Sequence, residues 1–252
     1  MVRVGAHLRE RDELVKGNWG MPHQVNALFL DRISSGKLVM IDNSILKVVN
    51  PDGSDLAWVR TIPPCPYVDT LNDSAACACA TPLTRSFAQD TRSGDLYYLS
   101  GVPTKKLMKV NVGRLLQEAP FVPSSSFEWD FAHQPMSCSL PWMAKSDEFV
   151  DVIAPFDANS ISIDSSAGKL YWTQSSPLKT GVWRSNLDGT GTETLVEKEG
   201  GQAEGSLALN PARGQLYFTA PPVPKDDMVT IVRVASLSGT PVNHGDDFVT
   251  KY

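Results

Sequence analysis

The sequence of 252 residues contains no run of 18 or more apolar residues, so no segment reads as a membrane-spanning helix. Positive charge is not in surplus either: 23 Lys and Arg stand against 28 Asp and Glu, for a formal net charge of −5. Nucleic-acid binding needs clustered basic side chains that displace counterions from phosphates, and this balance argues against it. Several catalytic signatures are missing. There is no G-x-S-x-G elbow, no P-loop, no G-x-G-x-x-G after a strand, and no H-E-x-x-H. The opening MVRVGAHLRERDELVKG lacks the apolar stretch of a signal peptide. What is present, 42% hydrophobic and 20% charged residues, suffices for the buried core of one large domain or two small ones.

Cysteine is sparse, with four residues in the whole chain. Cys65, Cys77 and Cys79 fall within PPCPYVDTLNDSAACACA, and Cys138 lies in PMSCSL. The C-x-C spacing, with no His following at ligand distance, does not match a zinc pair. All four are therefore read as disulfide candidates. Asn72 opens an N-D-S glycosylation acceptor in the same stretch. Cysteines and acceptor together point to the secretory pathway or the extracellular space, with the cytoplasm as the alternative.

Against this background one pattern recurs. NALFLDRISSGKLVMID from Asn26, RSFAQDTRSGDLYYLS from Arg85, NSISIDSSAGKLYWTQ from Asn159 and GSLALNPARGQLYFTA from Gly205 share one layout. Each has a short alternating strand, an Asp or Asn, a turn closed by Gly, and a second strand. Third strands follow as SILKVVNPDGSD, KLMKVNVG, GVWRSNLDGTGTE and TIVRVASLSGTP. Gly in these turns supplies the positive φ of a tight hairpin. A repeated unit of three to four strands at roughly 40 residues predicts an all-β fold, a β-propeller of four-stranded blades. Six blades are expected, with five as the alternative. The domain is expected to span 1–252, with a Cys-containing insertion at about 61–82 and a degenerate blade at about 121–157. The stretches NPDGSD and LDGTGTE also carry calcium-loop composition, but hairpin turns explain them more simply.

The residues Tyr171 to Gln174 within SIDSSAGKLYWTQ, with GVWRSNLDGTGTETLV after them, resemble the YWTD repeat of low-density-lipoprotein-receptor class B domains. That resemblance implies a six-bladed propeller and, as one function, a non-catalytic protein-binding module. Asn159 in ANSISID and Glu204 in AEGSLALN also resemble positions at the metal site of gluconolactonase-type propellers, with Asn26 as a third oxygen ligand. This second resemblance implies a divalent cation and a metal-dependent lactonase-type hydrolase. Arg85 occupies an equivalent position where a cation would repel the metal.

Counting back five residues from each Asp or Asn gives the equivalent positions Asn26, Arg85, Asn159 and Gly205, at the leading ends of the first strands. These strands are expected to line a central channel, with the polar positions at its mouth. Arg85, His23 and Glu204 are the catalytic candidates: Arg85 as a donor to developing negative charge, His23 as an acid or base near neutral pH, Glu204 as its acidic neighbour. Asn26, Asn159, Phe87, Trp129 and Trp142 are the substrate-binding candidates, the tryptophans forming an apolar wall. The leading functional expectation is a metal-independent cyclase or isomerase of specialised metabolism, of the kind that includes hetero-Diels–Alderases, needing no cofactor and acting on a largely apolar small molecule. The hydrolase and the protein-binding module are its alternatives. Oligomeric state is left open by the sequence.

Overall fold

The computed structural model describes residues 25–30, 36–42, 45–54, 57–61, 86–100, 106–117, 149–153, 156–175, 180–197, 205–220, 231–237 and 246–249. Each of the four repeat copies forms its own sheet. The first contains β1 (Val25–Leu30), β2 (Leu38–Asp42), β3 (Ile45–Val49) and β4 (Ala57–Thr61). The second contains β5 (Phe87–Gln89), β6 (Asp95–Ser100), β7 (Lys106–Asn111) and β8 (Phe149–Ile153), with a short helix α1 (Val112–Gln117) after β7. The third contains β9 (Ser160–Asp164), β10 (Lys169–Ser175), β11 (Thr180–Asn186) and β12 (Glu193–Glu197). The fourth contains β13 (Leu207–Asn210), β14 (Gln215–Ala220), β15 (Ile231–Ser236) and β16 (Asp246–Val249). Within every sheet, strands adjacent in the chain pair antiparallel. A series of such four-stranded meanders, packed face to face in chain order, is the blade architecture of a β-propeller.

The repeat's turn glycines adopt left-handed φ values: 65° at Gly36, 80° at Gly94, 64° at Gly168 and 62° at Gly214. A residue with a Cβ is strained there, which is why Gly closes the turn in every copy. The preceding Asp is used as well. Asp164 accepts hydrogen bonds from the Ser166 amide and hydroxyl and from the Ala167 amide. Asp90 accepts from the Arg92 amide and the Ser93 hydroxyl. Each short acidic side chain thereby satisfies backbone donors that the turn would leave unpaired.

The segment expected to hold a degenerate blade is corrected at its C-terminal end. Residues 149–153 of that 121–157 stretch belong to no separate sheet. They are β8, the fourth strand of the second sheet, with Leu107 opposite Ile153 and Val110 opposite Phe149. The physical reason is that β7 needs an outer partner for its remaining backbone groups, and the chain returns to supply it after a long excursion. Residues 118–148 and the Cys-containing stretch 62–85 lie outside the described residues. The expectation of five or six blades turns on strands outside them too.

Three apolar clusters fill the spaces between consecutive sheets. Val39, Leu46, Val48, Ala57 and Val59 of the first sheet meet Leu96, Tyr98, Met108 and Val110 of the second, with Val112 and Leu115 of α1. Tyr97, Leu99 and Leu107 of the second meet Ile161, Leu170, Trp172 and Trp183 of the third. Tyr171, Val182, Leu195 and Val196 of the third meet Leu207, Leu216, Phe218 and Ala235 of the fourth. In β10 the adjacent residues Leu170, Tyr171 and Trp172 are all buried although they point to alternate faces. A blade is covered on both sides, so its middle strands carry apolar residues on both faces. Each fully buried Leu or aromatic contributes about 1.5–3 kcal/mol of transfer free energy.

Side-chain hydroxyls tie the inner strands together across these junctions. Ser86, just before β5, accepts the Ile161 amide of β9 at 2.8 Å. Ser160 of β9 accepts the Leu207 amide of β13 at 3.2 Å, so the contact repeats one blade on. The equivalent position in the first copy is Ala27, which has no hydroxyl to offer. Ser86→Ala leaves a buried backbone N–H without its acceptor and is expected to cost about 1–3 kcal/mol. Ser206→Ala, at the exposed equivalent position of the last copy, is expected to stay within about 0.5 kcal/mol. Urea midpoints of the two variants test this; equal midpoints would refute the repeated serine contact as a stabilising element.

Candidate functional site

The inner strands β5, β9 and β13 lie side by side, which brings their leading ends together. Asn159 stands at the head of β9 with an exposed side chain. Its backbone amide donates to the Thr173 carbonyl at 2.9 Å, continuing the β9–β10 pairing by one step. The fully buried Thr173 hydroxyl then donates to the Gly205 carbonyl at 3.0 Å, linking the third sheet to the head of the fourth. At Gly205 φ is 121° and an added Cβ would lie 2.0 Å from Thr219 Oγ1. No side chain fits at that position, so the fourth copy contributes backbone alone. Thr219 Oγ1 itself accepts the Ser206 amide at 3.1 Å.

Below this rim several inner-strand side chains turn into the sheet junctions, while Ala208 of β13 stays exposed and Phe87, Ala88 and Gln89 of β5 are half-buried. Ile161 and Ile163 pack sideways with the second sheet. Leu207 and Leu209 pack sideways with the third. Phe87, expected to bind substrate, is part of the packing between the first and second sheets. Its ring stacks on Tyr98 with centroids 6.2 Å apart and an interplanar angle of 23°. Broad blade faces must bury against their neighbours, so alternate residues of an inner strand serve the junctions, and access to the centre falls to the strand ends.

Of the other candidates, Asn26 lies on β1, where the backbone alone is described. His23, Arg85, Glu204, Trp129 and Trp142 lie outside the described residues, as do Asn72, Cys65, Cys77, Cys79 and Cys138. Asn159 is therefore the one residue of the expected metal-ligand set Asn159, Glu204 and Asn26 with a described side chain. An Asn side-chain amide carries donor and acceptor groups, the chemistry of a polar substrate contact as well as of an oxygen-ligated cation. Thr173 and Thr219 were missed as rim residues. Their signal was the third letter of YWT and YFT, a hydroxyl recurring at one repeat position.

Tyr97 and Glu193 are among the groups at the sheet junctions with displaced pKa values. Burial, with smaller contributions from Asp95, Asp90 and Asp188, pushes the Tyr97 hydroxyl up to about 12. The hydrogen bond from Arg184 holds the Glu193 carboxyl below the usual range. That guanidinium donates to Glu193 at 2.6 Å and also to the Leu237 carbonyl, bridging the third and fourth sheets. The folded-state value of Tyr97 is above its unfolded value of about 10, so its contribution is complete below pH 10 and falls as pH rises toward 12. Glu193 acts in the opposite sense: its contribution is present above its unfolded value and is lost as pH falls through the lower folded one. Denaturant midpoints followed across pH are expected to drop at both ends. Tyr97→Phe should flatten the alkaline limb and Glu193→Gln part of the acid limb; limbs unchanged in both variants would disprove the assignment.

No protein-family model matches the chain, and no curated protein matches its sequence. Solved structures that it resembles in part include a nidogen/laminin complex at 12% identity and TM-score 0.48, covering 80% of this chain and 57% of that one. An oligogalacturonate lyase in complex with manganese matches at 8% identity and TM-score 0.49, over 84% and 48% of the two chains. A gluconolactonase from Xanthomonas campestris matches at 12% identity and TM-score 0.45, over 86% and 59%. The chain thus spans less than two thirds of each of these structures. The assignment as an all-β propeller is carried by the four meander sheets and their face-to-face packing. Among the described residues no helix is long and apolar enough to cross a membrane.

Proposed function

We propose that the chain binds a largely apolar small molecule at the leading ends of its inner strands and transforms it there, as a cyclase or isomerase without a metal. One observation supports the reading: Asn159 is exposed at the head of β9, while Ile161 and Leu207 on the inner strands beneath it are buried in the junctions. A ligand approaching the inner strands meets the polar side chain of Asn159 at the head of β9. A bound ligand that excludes water there would strengthen hydrogen bonds made to charge developing in a transition state. In this reading Arg85 and Asn159 supply those donors, His23 moves a proton, Glu204 balances the charge of Arg85, and Trp129 and Trp142 close the apolar side. The cysteines and Asn72 support a place in the secretory pathway or outside the cell, with the cytoplasm as the alternative.

The test is a metabolite profile of the source organism with this gene deleted, set against its parent. One product family is expected to vanish while its unsaturated or uncyclised precursor accumulates. Complementation with Arg85→Ala or Asn159→Ala is expected to restore at most a tenth of the product. Matching profiles would overturn the proposal, and product formation abolished by a chelator would transfer the site to the hydrolase reading.

A further inference from the structure

Two surface turns share both a sequence and a geometry. Asn50-Pro51-Asp52-Gly53-Ser54 follows β3, and Asn186-Leu187-Asp188-Gly189-Thr190 follows β11. In each, the Gly amide donates to the Asn carbonyl, at 2.8 Å for Gly53 and 3.0 Å for Gly189. In each, one Asp carboxylate oxygen accepts both the amide and the hydroxyl of the last residue. These distances are 2.9 and 2.7 Å from Ser54, and 2.9 and 2.7 Å from Thr190. The Asn side-chain amide closes the arrangement on the same hydroxyl, at 2.8 Å to Ser54 and 2.9 Å to Thr190.

Among aspartyl dipeptides Asp-Gly is the most open to backbone isomerisation, because no side chain shields the glycine nitrogen. That nitrogen attacks the aspartyl side-chain carbonyl carbon. A C–N bond forms, and one carboxyl oxygen leaves as water with the amide proton and the acid proton. The product is a five-membered succinimide. Water then adds to either ring carbonyl and reopens it to aspartate or to isoaspartate, whose main chain runs through the side chain and is one carbon longer. No atoms are gained or lost overall, and no co-reactant beyond water is needed.

We propose that Asp52–Gly53 and Asp188–Gly189 are latent isoaspartate sites held shut by this shared hydrogen-bond pattern, and that opening at Asp188 loosens the junction between the second and third sheets. The attacking nitrogen is engaged as a donor, and the carboxylate is held by the hydroxyl and amide two residues on. Those same bonds, the hydroxyl first, hold both carboxyls below the usual range, which reduces further the small protonated fraction carrying the O–H that must leave as water. The structural consequence is set by Gly189. A Cβ added there would meet Ile153 Cγ1 at 2.7 Å and the Val152 carbonyl at 3.2 Å, so the turn lies directly against β8. A backbone one carbon longer does not fit in that space.

The experiment ages the full chain for several weeks at neutral pH and measures isoaspartate at each site by peptide mapping. Synthetic NPDGS and NLDGT peptides, and the variants Ser54→Ala, Thr190→Val and Thr190→Ser, are aged alongside. Both sites in the native protein are expected to isomerise at least tenfold more slowly than the peptides. Thr190→Val is expected to raise the rate at Asp188 several-fold and leave Asp52 unchanged, Ser54→Ala to do the reverse, and Thr190→Ser to retain protection. A rise confined to the altered turn supports the proposal. An equal rise at both turns, no rise, or native sites that react at the peptide rate would overturn it. Protein isomerised at Asp188 is expected to lose amide-exchange protection in residues 149–153; unchanged protection there would overturn the effect on the junction.

Discussion

The hydroxyl of a serine at the head of one inner strand, accepting an amide of the next, sets how closely two blades approach. Ser86 makes this contact to Ile161, and Ser160 makes it to Leu207. Once the inner strands are held at hydrogen-bonding distance, the sheets behind them meet face to face, and their side chains have little choice but to interdigitate. Tyr97 then packs toward the third sheet and Tyr171 toward the fourth from equivalent positions in the repeat. Small residues matter at the strand head for this reason: a larger side chain would separate the strands and void the clusters behind them.

The first junction is built differently. Ala27 occupies the serine position, and the first two sheets are joined through a cluster that includes α1, with Val112 fully buried and Leu115 nearly so. The helix, in contact with β4 and β6, adds apolar packing at this junction. Here the long excursion before β8 begins, so this departure from the repeat and the longest interruption of a sheet fall on the same blade.

The rim and the junctions divide polar and apolar roles along each inner strand. At the strand head, Thr173 spends its hydroxyl on the Gly205 carbonyl, so the rim is stiffened by the residues that form it. Farther along, Ile161 and Leu207 are committed to packing. At the far end Asp90 and Asp164 spend their side chains on their own turns. The proposed ligand site lies at the opposite end, which carries Asn159.

Sequence alone determined the repeat, its second and third strands and its turn glycines, because strand alternation and positive φ are local demands that specific residue types meet within a few positions. It also marked Asn159 as the head of an inner strand, by counting from Asp164. The destination of each side chain was decided by tertiary structure. Phe87 alternates like a channel residue but packs between two sheets, since alternation tells which residues share a face and not what that face meets. The fourth strand of the second sheet was hidden for a related reason. Phe149–Ile153 is separated from its partner by a long stretch of chain, and the backbone groups it satisfies belong to β7. Pairing across that distance is chosen by the energy of the assembled sheet, which no short window of sequence contains.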